Sequence, residues 1–367
     1  MGVSRNRGTA WAGHTGRRNG NTHSGCPVIN LEQQKLLIKL WGTLALCRFF
    51  CHHLYDYFNQ ELIMPIKIPA ALPAYEALKQ ENVFVMTEAR AEHQDIRPLE
   101  IAIVNLMPTT VDTEIQLLRL LGNTPIQVNV TLLRMGSHES RNAPPGHLEK
   151  FYVTFDQVMH NRYDGLIITG APVETLPFES VDYWDELVSV IDYSHDHVWS
   201  TLHICWGAQA GLYRRYGIGK RQLPEKLFGI FPHAVHEKRN ILFRGFDDEF
   251  LAPQSRHTES NQEAIRQHPA LTVESESDEA GIFIATAREG REIYVTGHLE
   301  YDALTLDREY RRDVSKGLPI KIPRNYYPQD NPDLPPVVRW RAHAHLFFSN
   351  WINYVYQETP YDLNTLV

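Results

Sequence analysis

The sequence predicts an α/β fold in which a mostly parallel sheet is flanked by helices. Three observations lead there. Apolar runs of strand length at 98–108, 126–135, 164–172 and 198–204 alternate with stretches of helical spacing. The last run delivers Cys205 directly into a turn and a helix rich in small residues, Gly207, Ala208, Ala210 and Gly211. A hydrophobic content of 43% over 367 residues is ample for a large core, and no run of about 18 apolar residues suggests a membrane span.

Residues 1–63 differ from the rest of the chain. They are Arg/Gly/Asn/Thr-rich at first, carry seven Lys/Arg against three Asp/Glu, and hold Cys26, Cys47 and Cys51. Their apolar stretch starts late and is interrupted by Lys39 and Arg48, unlike a secretory signal. We expect an N-terminal extension that is disordered or lies outside the functional protein, with a true start at Met64, and a single catalytic domain over 64–367. The net charge of −8 argues against a nucleic-acid partner. Four cysteines without a CxxC pair fit a reducing, cytoplasmic setting with neither a disulfide framework nor a metal site.

From Met64 the elements follow in order. Residues 98–108 read as a buried parallel strand ended by Pro108. Val111, Ile115, Leu118 and Leu121 share a helix face that stops at Gly122 and Pro125. After the strand at 126–135, the polar loop GSHESRNAPPGH is long enough to act as a lid. The strand at 164–172 ends in GAP, then Val173 and Glu174, before a helix at 179–193 with Val181, Trp184, Val188 and Ile191 on one face. GAPVE is therefore a binding-loop candidate, although a plain turn reads the same way. Beyond the Cys205 helix we expect shorter, meandering β elements, including GIFIATA, then a strand at 293–297 that presents His298 and Glu300 at the start of a helix. The Pro-rich passage 322–336 reads as an ordered arm. Trp340, Ala344, Phe347, Trp351 and Val355 form a helical stripe suited to the core or to a homodimer interface.

Cys205 suits a nucleophile elbow. The turn is tight, the helix after it must lie close to the sheet, and the helix N-terminus favours negative charge on sulfur. A buried core cysteine has the same sequence appearance. His298 and Glu300 are two apart, so in extended backbone the carboxylate can orient the imidazole. Together they supply nucleophile, base and orienter. The pairs His233 with His236 and His343 with His345 lack a third ligand at recognisable spacing, so no metal is expected. No Gly-rich nucleotide loop calls for a further cofactor.

Seven segments resemble the homoserine O-acyltransferase family, whose fold is class I glutamine amidotransferase-like (flavodoxin-like). They are MPIKIP, QDIRPLEIAIVNLMP, DGLIITGAPVE, TLHICWGAQAGLYRRYGI, SRHTE, GHLEYD and FSNWINYVYQETPY. The resemblance implies ping-pong acyl transfer from acyl-CoA, through a Cys205 thioester, to L-homoserine. His298 would then be the base, Glu300 its partner and the Trp206 backbone N–H an oxyanion donor. It implies substrate contacts at Lys226, Ser255, Glu309 and Arg312, although Glu309 and Arg312 are also spaced as an ordinary helix pair. It makes Glu174 the acyl selector, favouring acetyl-CoA over succinyl-CoA. The chain departs from its relatives after NLMP, where Thr109 and Thr110 replace lysine. The alternatives are homoserine O-succinyltransferase, a glutamine amidotransferase-like enzyme and a redox-sensing module.

Overall fold

Strand residues of alternating orientation feed two separate cores. A computed structural model describes residues 66–69, 71–80, 85–86, 97–138 and 143–366. The expectations for residues 1–63 lie outside these, as does the middle of the polar loop, 139–142.

The strands are β1 (Ile66–Lys67), β2 (Val85–Met86), β3 (Leu99–Val104), β4 (Val128–Arg134), β5 (Tyr152–Thr154), β6 (Tyr163–Ile168), β7 (Val198–Ile204), β8 (Lys220–Val235), β9 (Glu249–Ser260), β10 (Thr272–Ser277), β11 (Gly281–Ala287) and β12 (Glu292–Val295). Their order is β2-β1-β4-β3-β6-β7-β12-β11-β10-β8-β9, with β5 added beside β4. Pairing is parallel from β2 through to β12 and antiparallel from β12 to β9. The expected mostly parallel α/β sheet is therefore present.

Helices α1 (Pro73–Gln80), α2 (Thr110–Leu121), α3 (His147–Phe151), α4 (Phe155–Val158), α5 (Trp184–His197), α6 (Trp206–Tyr216), α7 (Gln262–Gln267), α8 (Thr305–Ser315) and α9 (Arg341–Glu358) complete the chain. Ile101 and Ile103 of β3 join the cluster under α2 and α9, while Ala102 and Val104 join the one under α5. That period of two is why continuous apolar runs were needed: both faces of each strand are covered. The stripe Trp340, Ala344, Phe347, Trp351 and Val355 is buried within the chain, so it is spent on the core. Each such large side chain contributes roughly 1.5–3 kcal/mol relative to exposure. Gly165 makes room for it, since a Cβ there would lie 3.0 Å from the Trp351 ring.

Three expectations need correction. The region after the Cys205 helix contains the expected short antiparallel elements β10, β11 (GIFIATA) and β12, but it opens with a long antiparallel pair, β8 and β9. Pro224 lies in a bulge between the register positions Gln222 and Leu227, where no ladder N–H is required. The helix expected at 179–193 begins at Trp184, after a short turn of 3-10 helix at Phe178–Ser180; Val181 precedes it and is buried all the same. The helix after Glu300 starts only at Thr305, so His298 and Glu300 sit on a connecting segment. The Pro-rich passage is ordered and packs inward through Tyr326 and Tyr327. Its Arg324 backbone bridges Gly229, where φ is +142° and a Cβ would meet the Arg324 carbonyl at 2.4 Å.

Candidate active site

β7 ends at Ile204, and Cys205 turns the chain with φ 52° and ψ −114°, a conformation that L-residues rarely adopt. Its N–H is tied to the Val295 carbonyl of β12 at 2.7 Å. The α6 helix starts on the next residue and lies hard against the sheet: a Cβ at Gly207 would stand 2.7 Å from the Ile168 and Thr169 carbonyl oxygens. The small residues seen in the sequence are thus the condition for the elbow. The Trp206 indole is fully buried, and its backbone N–H belongs to the first turn, where helix donors lack intrahelical acceptors.

β12 brings the second half. His298 is 3% exposed and its Nδ1 lies 2.6 Å from Glu300 Oε1, as the two-residue spacing predicts. Its ring stacks on Tyr301 at 4.0 Å, and its Cε1 and Cys205 Sγ both lie within 4 Å of where a Cβ on Gly170 would stand. Burial by itself pushes the imidazole pKa down, but Cys205 and Glu300 together outweigh it and the net direction is well up. The arrangement holds a proton beside the sulfur. Gly170, at the end of β6, closes the near wall; a Cβ there would be 3.2 Å from Cys205 Cβ.

A cleft of about 610 Å³ opens over this pair and is lined by Cys205, His298, Glu174, Lys226, Ser255, Glu309 and Arg312. Every sequence-predicted side chain except Glu300, which stands behind His298, therefore reaches one space. Glu309 is the hub of the far end. It accepts Lys226 Nζ at 2.5 Å and Ser255 Oγ at 2.9 Å, while Arg312 is 3.7 Å away and also bonds Asp313 at 2.7 Å. Glu309 and Arg312 are thus both a helix pair and a lining of the cleft.

Glu174 is pinned rather than free. Its Oε2 accepts the His257 N–H at 2.8 Å, the Thr258 N–H at 3.1 Å and the Thr258 hydroxyl at 3.1 Å. The bulge in β8 opposite His257 interrupts the ladder at that point. Lys220 holds the backbone of the same loop, donating to the Glu174 and Leu176 carbonyls at 2.5 and 2.6 Å. Burial pushes its amine down to about 8 against the opposing pull of Glu174 and Glu179.

A family model for homoserine O-succinyltransferase matches residues 65–361. This chain belongs to that family. Homoserine O-acetyltransferase of Brevibacillus brevis is 61% identical to it over 302 residues, covering 82% of this chain and 99% of that protein. The protein of the same name from Acetivibrio thermocellus is 60% identical over 304 residues, covering 83% and 100%. Among solved structures, a glutamine amidotransferase from Thermotoga maritima aligns with a TM-score of 0.47 at 14% identity, over 71% of this chain and 99% of that one.

Within this homoserine O-succinyltransferase family member, sequence reasoning missed Gln209, Tyr301, Thr258 and Lys220. Gln209 steadies the donors to Glu174: its Nε2 donates to the Thr258 carbonyl at 3.1 Å, and its Oε1 shares the single Thr258 hydroxyl proton with Glu174. A single polar residue among the small ones of GAQAG was the available signal. Lys220 and Tyr301 had none, because their partners are remote in sequence or stacked across a turn. The paired histidines have ordinary roles: His233 is buried against Phe283, and burial takes its pKa down to about 3. Among the described residues no group of three His, Cys, Asp or Glu is placed to hold a metal ion.

Proposed function

We propose that this chain is a homoserine O-acetyltransferase acting through a thioester on Cys205. The observation that carries the reading is the convergence of Cys205, the His298–Glu300 pair and the Glu309–Arg312 end on one cleft. The Cys205 thiolate attacks the carbonyl carbon of acetyl-CoA, and the resulting oxyanion is held by the Trp206 N–H. The carbon–sulfur bond to CoA breaks and His298 gives its proton to the departing thiolate. Neutral His298 then takes the hydroxyl proton of homoserine while its oxygen attacks the thioester; Cys205 leaves as thiolate and the product is O-acetylhomoserine. Charge balances at each step, and no metal or resident cofactor enters.

Arg312 is half-exposed and suited to grip the amino acid carboxylate, with Glu309 facing its ammonium group. Arg312→Leu should raise KM for homoserine by about 10- to 100-fold while leaving formation of the acetyl-enzyme unchanged. Equal losses in both half-reactions would contradict that role. Pinned at the cleft beside Cys205, Glu174 supports acetyl over succinyl as the donor. Intact mass after brief mixing with each donor tests the whole reading. An acetyl adduct that homoserine removes, and that Cys205→Ser cannot form, is the expected result; no adduct with either donor would overturn it. Among the described residues no helix is long and apolar enough to cross a membrane. The cytoplasmic setting, the lack of a nucleic-acid partner and a homodimer remain part of this proposal, the last without support from the buried α9 stripe.

A further inference from the structure

The active-site cleft continues past its own wall. Met107, Pro108 and Pro172 line it, and the same three residues line a second chamber of about 440 Å³. This chamber lies beyond the carboxyl ends of β3, β4 and β6, the edge at which parallel α/β sheets take ligands. Its surface is largely apolar, with Met135, Leu148 and Val173, but it carries two opposite charges. They are treated very differently. Asp182 is engaged by His138 at 2.7 Å. The side chain of Arg134, at the end of β4, makes no hydrogen bond or ion pair among the described residues, and its buried Nε has no partner among them. A guanidinium drawn partly out of water with no acceptor is costly unless a ligand supplies one.

We propose that this chamber receives the phosphorylated end of the thioester donor, with Arg134 holding a phosphate group of CoA. The assignment rests on the acyl-CoA reading above. A CoA thioester is far longer than homoserine, and in the cleft around Cys205 the charged groups Lys226, Glu309 and Arg312 are gathered in one cluster, the one that takes the amino acid. The acyl group must reach Cys205, so the rest of the donor has to leave the cleft on the side where those groups are absent. Met107, Pro108 and Pro172 form an apolar wall suited to the pantetheine arm, and beyond it stands a planar cation, unpaired among the described residues, with the geometry for phosphate. The rival position is the rim formed by Arg308 and Lys316; there Arg308 already faces Asp112 at 3.8 Å.

Steady-state kinetics with acetyl-CoA and with S-acetylpantetheine, which has no phosphate, test the assignment. Arg134→Gln should raise KM for acetyl-CoA by about 10- to 100-fold, with KM for homoserine and the use of S-acetylpantetheine within about twofold of the parent. Leu148→Trp, which fills the chamber, should weaken acetyl-CoA binding while homoserine binding is retained, with folding checked by circular dichroism. An unchanged KM for acetyl-CoA in Arg134→Gln, an equal loss with S-acetylpantetheine, or the same effect from Arg308→Gln alone would overturn the proposal. Failure of the acyl-CoA reading looks different, because the unmodified protein would then form no acyl-enzyme at all.

Discussion

Cys205→Ala should lower kcat by about ten-thousand-fold or more and abolish the acetyl-enzyme, with cooperative unfolding retained. The magnitude follows from covalent catalysis: without the sulfur neither half-reaction has a route, and His298 and Glu300 have nothing to activate. The Cys205→Ser protein carries a second, more diagnostic expectation. In the free enzyme the His298 pKa stands well above the ordinary histidine value because Cys205 and Glu300 overcome the opposing effect of burial. A neutral hydroxyl removes the Cys205 contribution, so the His298 pKa should fall, as read by NMR titration of the imidazole. Acetylation of Cys205 has the same consequence. Transfer from preformed acetyl-enzyme to homoserine should therefore persist to lower pH than the titration of His298 in the free protein. A His298 pKa that is unchanged in Cys205→Ser would remove the charge coupling on which this sequence of proton transfers depends.

Glu174→Gly should shift donor preference from acetyl-CoA toward succinyl-CoA by roughly a hundredfold or more in kcat/KM, since juxtaposed like charges cost several kcal/mol. The geometry adds to the simple argument from size. Removing the Glu174 carboxylate leaves the His257 and Thr258 N–H groups without their acceptor, while the Thr258 hydroxyl keeps Gln209 Oε1 at 3.0 Å. Those two donors converge on one oxygen and would donate to the terminal carboxylate of a succinyl group in its place, with the Thr258 hydroxyl able to turn from Gln209 toward it. The loop itself should stay in position, because Lys220 holds it through main-chain carbonyls that glycine retains. Thr258→Val in the Glu174→Gly background should then cost about tenfold with succinyl-CoA and little with acetyl-CoA. If the double variant uses succinyl-CoA as well as the single one, the donors play no part and only space matters.

Much of this was legible in the chain. Continuous apolar runs identified buried parallel strands, because a strand covered on both faces has no reason to alternate, and Ile101 to Val104 feed two different cores. The pairing of His298 with Glu300 followed from a spacing of two in extended backbone, which is local geometry. The long β8–β9 pair was not legible, since Pro224 and Gly229 are punctuation in most sequences and only the bulge and the Arg324 contact explain them here. Lys220 and Arg134 were also silent. A lone basic residue is usually solvated, and what distinguishes these two is the carbonyls around one and, among the described residues, the missing acceptor of the other.

By itself, then, the sequence determined the elbow: Cys205 between an apolar run and Gly207, with a base and its orienter two residues apart just past the end of another strand. Short-range sterics and strand periodicity suffice for that. Only the tertiary structure decided how Glu174 acts and where the cleft leads. The donors that pin Glu174 lie on β9, and the chamber beyond Met107 and Pro172 is assembled from the ends of three strands. Contacts between residues far apart in the chain depend on register and packing, which no local pattern encodes.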